Sequence, residues 1–216
     1  FRSRRVRSGG GRGRGAREVE PFQRGARAAG DLPHQAAEVW FLRAEAALRG
    51  WTDEDAERCY RNGVAASFAQ WQLSGAESYL GSDAMAADYH DPVDPGNDIA
   101  ARCRVSPRWD ATADDELKLE RIITQKWIAV YPNGNEGWAE FRRTDYPRYM
   151  KTPKGGNNSG GEVANGKFIK RLRYPDSEVS NPNRPKDVDT QGTRLWWDVA
   201  DTNDDGGNYV TPNNFR

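Results

Sequence analysis

The chain is short of cysteine, histidine and long apolar runs, and each shortage closes a class of function. Cys59 and Cys103 are the only cysteines among 216 residues, too few for the disulfide-dense framework of a small secreted domain. Two readings of them stand: a pair, or two unpaired thiols with Cys59 on a helix. His34 and His90 are the only histidines and lie far apart, so no Cys/His metal cluster is expected. No Ser or Cys sits in a Gly-x-Ser-x-Gly context, which leaves no marked nucleophile. No stretch approaches the roughly 18–20 apolar residues needed to cross a bilayer, and none supplies the apolar core of about 7–15 residues of a secretory signal. The mean hydropathy of −0.94 and a hydrophobic share of 36% are low for a packed core.

Charge balances only on paper. Lys+Arg 32 and Asp+Glu 32 cancel, yet the first thirty residues carry 9 Arg against 2 Glu. That opening is Arg, Gly and Ala without hydrophobic periodicity. Its Arg12-Gly13-Arg14-Gly15 stretch has the chemistry to meet phosphates, but repeated aromatics are missing. Charge-rich, apolar-poor sequence of this kind does not fold alone. Residues 1–31 are therefore expected to be a disordered or non-native segment, and residues 32–216 the ordered part.

From Leu32 the pattern turns helical. Residues 33–49 are rich in Ala and Leu, with Val39, Trp40, Ala44, Ala47 and Leu48 at helical spacing and Gly50 as the stop. A second helix is expected from Thr52, capped with Asp55, along the face Ala56, Tyr60, Val64, Ser67, Phe68 and Trp71. The two read as one tetratricopeptide-like pair. Residues 74–112 form a long connection holding Tyr79, Tyr89, His90 and Trp109. A third helix is expected from Thr112, with the stripe Leu119, Ile122, Ile123, Lys126, Trp127 and Val130, and a short fourth over 136–143. Residues 167–174 read as a strand. The tail from Asp176 reads as irregular around the apolar Leu195-Trp196-Trp197 patch. Asp201, Asn203, Asp204 and Asp205 lack the alternation and distal Glu of a calcium loop.

Ile122-Ile123-Thr124-Gln125-Lys126-Trp127, Asn133-Gly134, Glu136-x-Trp138-x-Glu140-x-Arg142-Arg143 and Tyr146-Pro147 closely resemble the carboxy-terminal signature of the SusD/RagB family. The preceding Ala36-Ala37-Glu38-Val39-Trp40-Phe41-Leu42, the later Arg171-Leu172-x-Tyr174-Pro175 and the closing Trp196-Trp197-Asp198 resemble its flanking stretches in the same order. The resemblance implies a mainly α protein of tetratricopeptide-like pairs with long irregular loops and minor β, of which the amino-terminal helical half and the lipid-bearing cysteine are not in this chain. It also implies a surface-exposed outer-membrane lipoprotein. Such a protein binds glycans, or peptides in some relatives, as the accessory subunit of a TonB-dependent SusC-like transporter. No catalysis, cofactor or metal is implied, and no nucleic-acid partner is expected.

The residues themselves divide between scaffold and ligand. Gln125, Lys126, Trp127, Glu136, Trp138, Arg142 and Arg143 read as structural signature, the tryptophans packing and the arginines forming helical ion pairs or instead clamping an adjoining loop by bidentate hydrogen bonds. Aromatic faces and polar side chains hold sugars, and loop position singles out Tyr89 and Trp109 as the ligand-binding candidates. A helical-repeat protein adaptor is the competing reading. A glycoside hydrolase would need a marked pair of carboxylates, and none stands out.

Overall fold

A computed structural model describes residues 33–148, 158–164, 168–183, 190–193 and 195. All of them belong to the unit Leu32–Arg216. Six α-helices form within them: α1 Pro33–Leu48, α2 Ala56–Gln70, α3 Ala76–Leu80, α4 Asp115–Ala129, α5 Gly134–Thr144 and α6 Asp176–Val179. Among the described residues no helix is long and apolar enough to cross a membrane. The Arg/Gly opening, Trp196, Trp197 and the Asp201–Asp205 turn lie outside the described residues.

The first helix pair forms where its composition dictates. Pro33 opens α1, where a missing N–H costs nothing. Gly50, at φ +70°, closes it, with Gly50 N–H and Trp51 N–H donating to the Ala47 and Ala46 carbonyls. The buried stripe of α1 is Ala37, Phe41 and Ala44, with Leu48 packed beside them. This corrects the expected face, since Val39 is 50% exposed. Helix α2 is capped by Asp55, whose carboxylate accepts from Arg58 N–H at 2.6 Å; Thr52 is not the cap. A Cβ on Gly63 would lie 2.7 Å from the Phe41 ring, so α1 and α2 approach as they do only because that side chain is absent.

The long connection is more structured than its sequence suggests. It contains α3, a 3-10 turn at Pro95–Asn97 and an antiparallel bridge between Tyr89 and Ile99. It returns to the core through Tyr60, whose hydroxyl donates to the Pro107 carbonyl at 2.6 Å, and through buried Cys103 and Val105. Both cysteines are free and buried. Glu120, with 0% exposure, fastens this segment to α4: it accepts from Arg104 N–H at 3.0 Å and Arg104 Nε at 2.9 Å.

Helix α4 starts on Asp114, which accepts from Leu117 N–H at 2.7 Å; Thr112 instead bonds Asp110. Leu119, Ile122 and Ile123 meet Phe41, Tyr60 and Tyr146 in the core. Asn133 caps α5, which begins at Gly134 and ends at Asp145 with φ +57°. The expected strand over 167–174 does not form: residues 168–174 are without strand, their backbone bonds being Lys170 and Arg171 N–H to the Gln191 carbonyl at 2.8 and 3.3 Å. The short α6 stands where an irregular tail was expected.

Candidate functional site

Helices α4 and α5 and the link between them carry an apolar groove of about 750 Å³, within the range of small-ligand sites. Trp127 and Ile128 come from α4, Val130, Tyr131 and Asn133 from the link, and Gly137, Trp138 and Phe141 from α5. Trp71, just past α2, and Phe168 with Ile169 complete the walls. Trp71 and Tyr131 meet with ring centroids 6.0 Å apart, and Phe141 meets Phe168 edge-on at 5.0 Å. A Cβ at Gly137 would fall 3.2 Å from Trp127 Nε1, so glycine there lets the indole lie against α5. Arg142 covers Trp138, its guanidinium carbon 4.5 Å from the ring centroid, a cation–π placement. Trp71 is 38% and Tyr131 60% exposed, so aromatic faces stay open to solvent.

Behind this wall lies a cluster of charges that joins three helices. Lys126 is 1% exposed, and its Nζ lies 2.7 Å from Glu140 Oε1, 3.0 Å from Glu136 Oε1 and 3.6 Å from Glu38 Oε1. Glu140 also accepts from Arg143 Nη2 at 2.8 Å. Arg143 then forks onto Glu45 of α1 at 2.8 and 2.7 Å, and Arg49 reaches the same carboxylate at 2.9 Å. Burial works against the Lys126 charge, but the bonds to Glu140 and Glu136 outweigh it and hold the ammonium above its ordinary range. Burial likewise opposes the Glu45 carboxylate, and Arg143 and Arg49 reverse this and depress its pKa. Each charge is thus kept by its partners.

These distances show what the signature residues do. Gln125 pairs with the Tyr79 hydroxyl, its Nε2 donating at 2.9 Å, which ties α4 to α3. Lys126 and Glu136 belong to the charge cluster, Trp127 and Trp138 to the groove, and Arg142 to the face of Trp138. Arg143 makes the expected helical pair with Glu140, and its clamp falls on Glu45 of helix α1 and not on a loop. Tyr89 and Trp109 do not line the groove. Tyr89 sits on its bridge, 50% exposed; Trp109 packs on the core, its ring 5.2 Å from Tyr60. Trp71, Tyr131, Phe168, Glu38 and Glu45 were not singled out by sequence. The one signal available was a lysine inside an otherwise apolar stripe, which asks for buried carboxylates.

Tetratricopeptide-like helix pairing with long loops, and almost no strand among the described residues, defines a mainly α scaffold with an apolar groove on its α4–α5 side. The family model described as SusD-like, SusD and RagB outer membrane lipoprotein, matches residues 32–198. The chain belongs to that family. No curated protein sequence matches it. Among solved structures it is similar to a SusD homologue from Bacteroides vulgatus, with 43% identity and a TM-score of 0.67 over 76% of this chain and 34% of that one. A chitin-binding SusD homologue from Flavobacterium johnsoniae is 41% identical, with a TM-score of 0.65 over 76% of this chain and 36% of the other. A SusD-like protein from Bacteroides thetaiotaomicron is 36% identical, with a TM-score of 0.64 over 80% and 37%. The chain thus spans little more than a third of the length of these relatives.

Proposed function

We propose that residues 32–216 are the carboxy-terminal region of a cell-surface glycan-binding protein held at the outer membrane by a lipid anchor. It serves as the accessory subunit of a SusC-like TonB-dependent transporter, and it binds its ligand without transforming it. The observation that carries the reading is the groove of open aromatic faces on a chain that belongs to the SusD-like family. Indole and phenol rings match the C–H faces of pyranose rings, and Asn133 at the groove's edge offers an amide to their hydroxyls. The relative that binds chitin makes β-linked N-acetylated oligosaccharides the first ligands to try. Tyr89 and Trp109 form a second proposed contact region on the long connection.

The test is a titration of chito-oligosaccharides and malto-oligosaccharides into the full chain, followed by tryptophan emission, with reducing ends assayed in parallel. A saturable emission change without new reducing ends is expected. Trp138→Ala should weaken binding roughly tenfold, the ~1.4 kcal/mol scale of one seated ring; Tyr89→Ala reports on the second region. Flat titrations with both sugar series, or release of reducing ends, would refute the reading.

A further inference from the structure

The polar side-chain atoms of the groove are mostly hydrogen-bond donors, and no charged side chain lines it among the described residues. Asn133 caps α5, its Oδ1 accepting from Glu136 N–H at 3.3 Å. That bond fixes which way the amide points and leaves Nδ2 as a donor without a partner among the described residues. The indole N–H groups of Trp127 and Trp138 likewise meet no acceptor there. The acceptors nearby are already in use. The carbonyls of Ile128, Val130, Pro132 and Asn133 accept from the N–H groups of Tyr131, Asn133, Gly134 and Gly137 at 3.3, 2.7, 2.9 and 3.1 Å. The Tyr131 hydroxyl, on a largely exposed residue, can serve either way.

We propose that the groove recognises the acetyl group of an acetylated sugar, with the Asn133 amide and the indole N–H groups supplying donors for its carbonyl oxygen. A carbonyl oxygen only accepts hydrogen bonds, so a donor-rich, acceptor-poor wall satisfies it completely. A sugar hydroxyl accepts and also donates. Pressed against donors it keeps an unpaired hydrogen, and an unpaired buried polar group is costly. An ammonium group only donates and has nothing there to accept from it, while a carboxylate or sulfate finds no cation on the wall. The acetyl methyl, by contrast, gains from burial against Ile128, Val130 and Phe141. Amide-linked and ester-linked acetyl groups share this chemistry. The inference rests on the reading of the groove as a glycan site and adds which substituent of the sugar it selects.

The test is calorimetric titration of the full chain, below neutral pH, with β-linked glucose-type trimers that differ only in substituent. They carry a C2 acetamido, a C2 ammonium or a C2 hydroxyl group, the last also in an O-acetylated form. At least one acetylated trimer should bind about tenfold more tightly than the hydroxyl trimer, and the ammonium trimer should bind most weakly. The tighter acetylated trimer identifies the linkage. Asn133→Asp keeps a capping side chain but replaces the donor by an acceptor; it should erase the preference and improve binding of the ammonium trimer. Trp138→Phe keeps a ring and removes the N–H, and should weaken the acetylated trimers several-fold while leaving the hydroxyl trimer nearly unchanged. Loss of the preference in either variant supports the proposal. Equal binding of acetylated and hydroxyl trimers overturns it and leaves the glycan reading standing, whereas no binding of any trimer brings down both. A preference that survives both variants also overturns it, because the donors named would then not be its source. Should Asn133→Asp fail to fold, Trp138→Phe decides alone.

Discussion

Replacing Lys126 by methionine tests the charge cluster directly. The substitution keeps the length and apolar stem of the side chain and deletes one buried cation. Glu140 would keep Arg143, but Glu136 would lose its 3.0 Å partner and Glu38 its one cationic contact among the described residues. Removing one member of a buried ion pair costs about 3–5 kcal/mol, because the remaining charge stays desolvated and unpaired. Glu38 and Glu136 are each partly exposed, so the lower half of that range applies, about 3 kcal/mol. Against a total stability of roughly 5–15 kcal/mol this is a large loss. Urea unfolding at pH 7, followed by far-ultraviolet circular dichroism, reads it as a lower midpoint. The penalty also carries a pH signature: as the glutamates take up protons in acid the orphaned charges vanish, so the deficit should shrink towards pH 4. A loss below about 1 kcal/mol at pH 7, or one that does not vary with pH, would refute the view that Lys126 compensates buried carboxylates.

Other consequences are equally direct. Gly63→Val should cost about 1–3 kcal/mol in thermal or urea unfolding by driving a side chain into the Phe41 ring, and Phe41→Leu in the same chain should recover part of it. Glu45 has a depressed folded pKa, so its contribution is fully present above the unfolded value of 4.5 and is lost as pH falls through the folded value. Glu45→Gln should flatten the acid limb of the stability–pH curve. Asp55→Ala should cost about 1 kcal/mol as a lost helix cap, while Thr52→Ala should be nearly silent; equal losses would contradict the assigned cap.

Much of the scaffold was readable and the failures have physical causes. The Ala- and Leu-rich composition of α1 announces a helix, but the unbroken Val39-Trp40-Phe41-Leu42 run offers more than one apolar face. Only the partner helix, through Gly63, selects Phe41 over Val39. Thr52 and Asp55 both have capping chemistry; the carboxylate sits where the helix dipole favours it. Helix α3 is too short to display a period, and its anchor, the Tyr79–Gln125 bond, spans 46 residues. Residues 168–174 alternate like a strand yet find no neighbouring strand to pair with among the described residues. The signature residues were legible as scaffold, and Trp127 and Trp138 as helix-borne aromatics. The groove was not, because Trp71, Tyr131 and Phe168 come from three separate segments that only packing brings together.

The fork of Arg143 onto Glu45 joins positions 98 residues apart. During synthesis, Glu45 therefore emerges and must wait while all of α2, α3 and α4 are made before its second arginine exists. Until then Arg49, four residues along the same helix, is its one cationic partner among the described residues. Closure of the three-helix junction therefore requires the chain to be made through Arg143, and a chain stopped short of it would lack the clamp between α5 and α1.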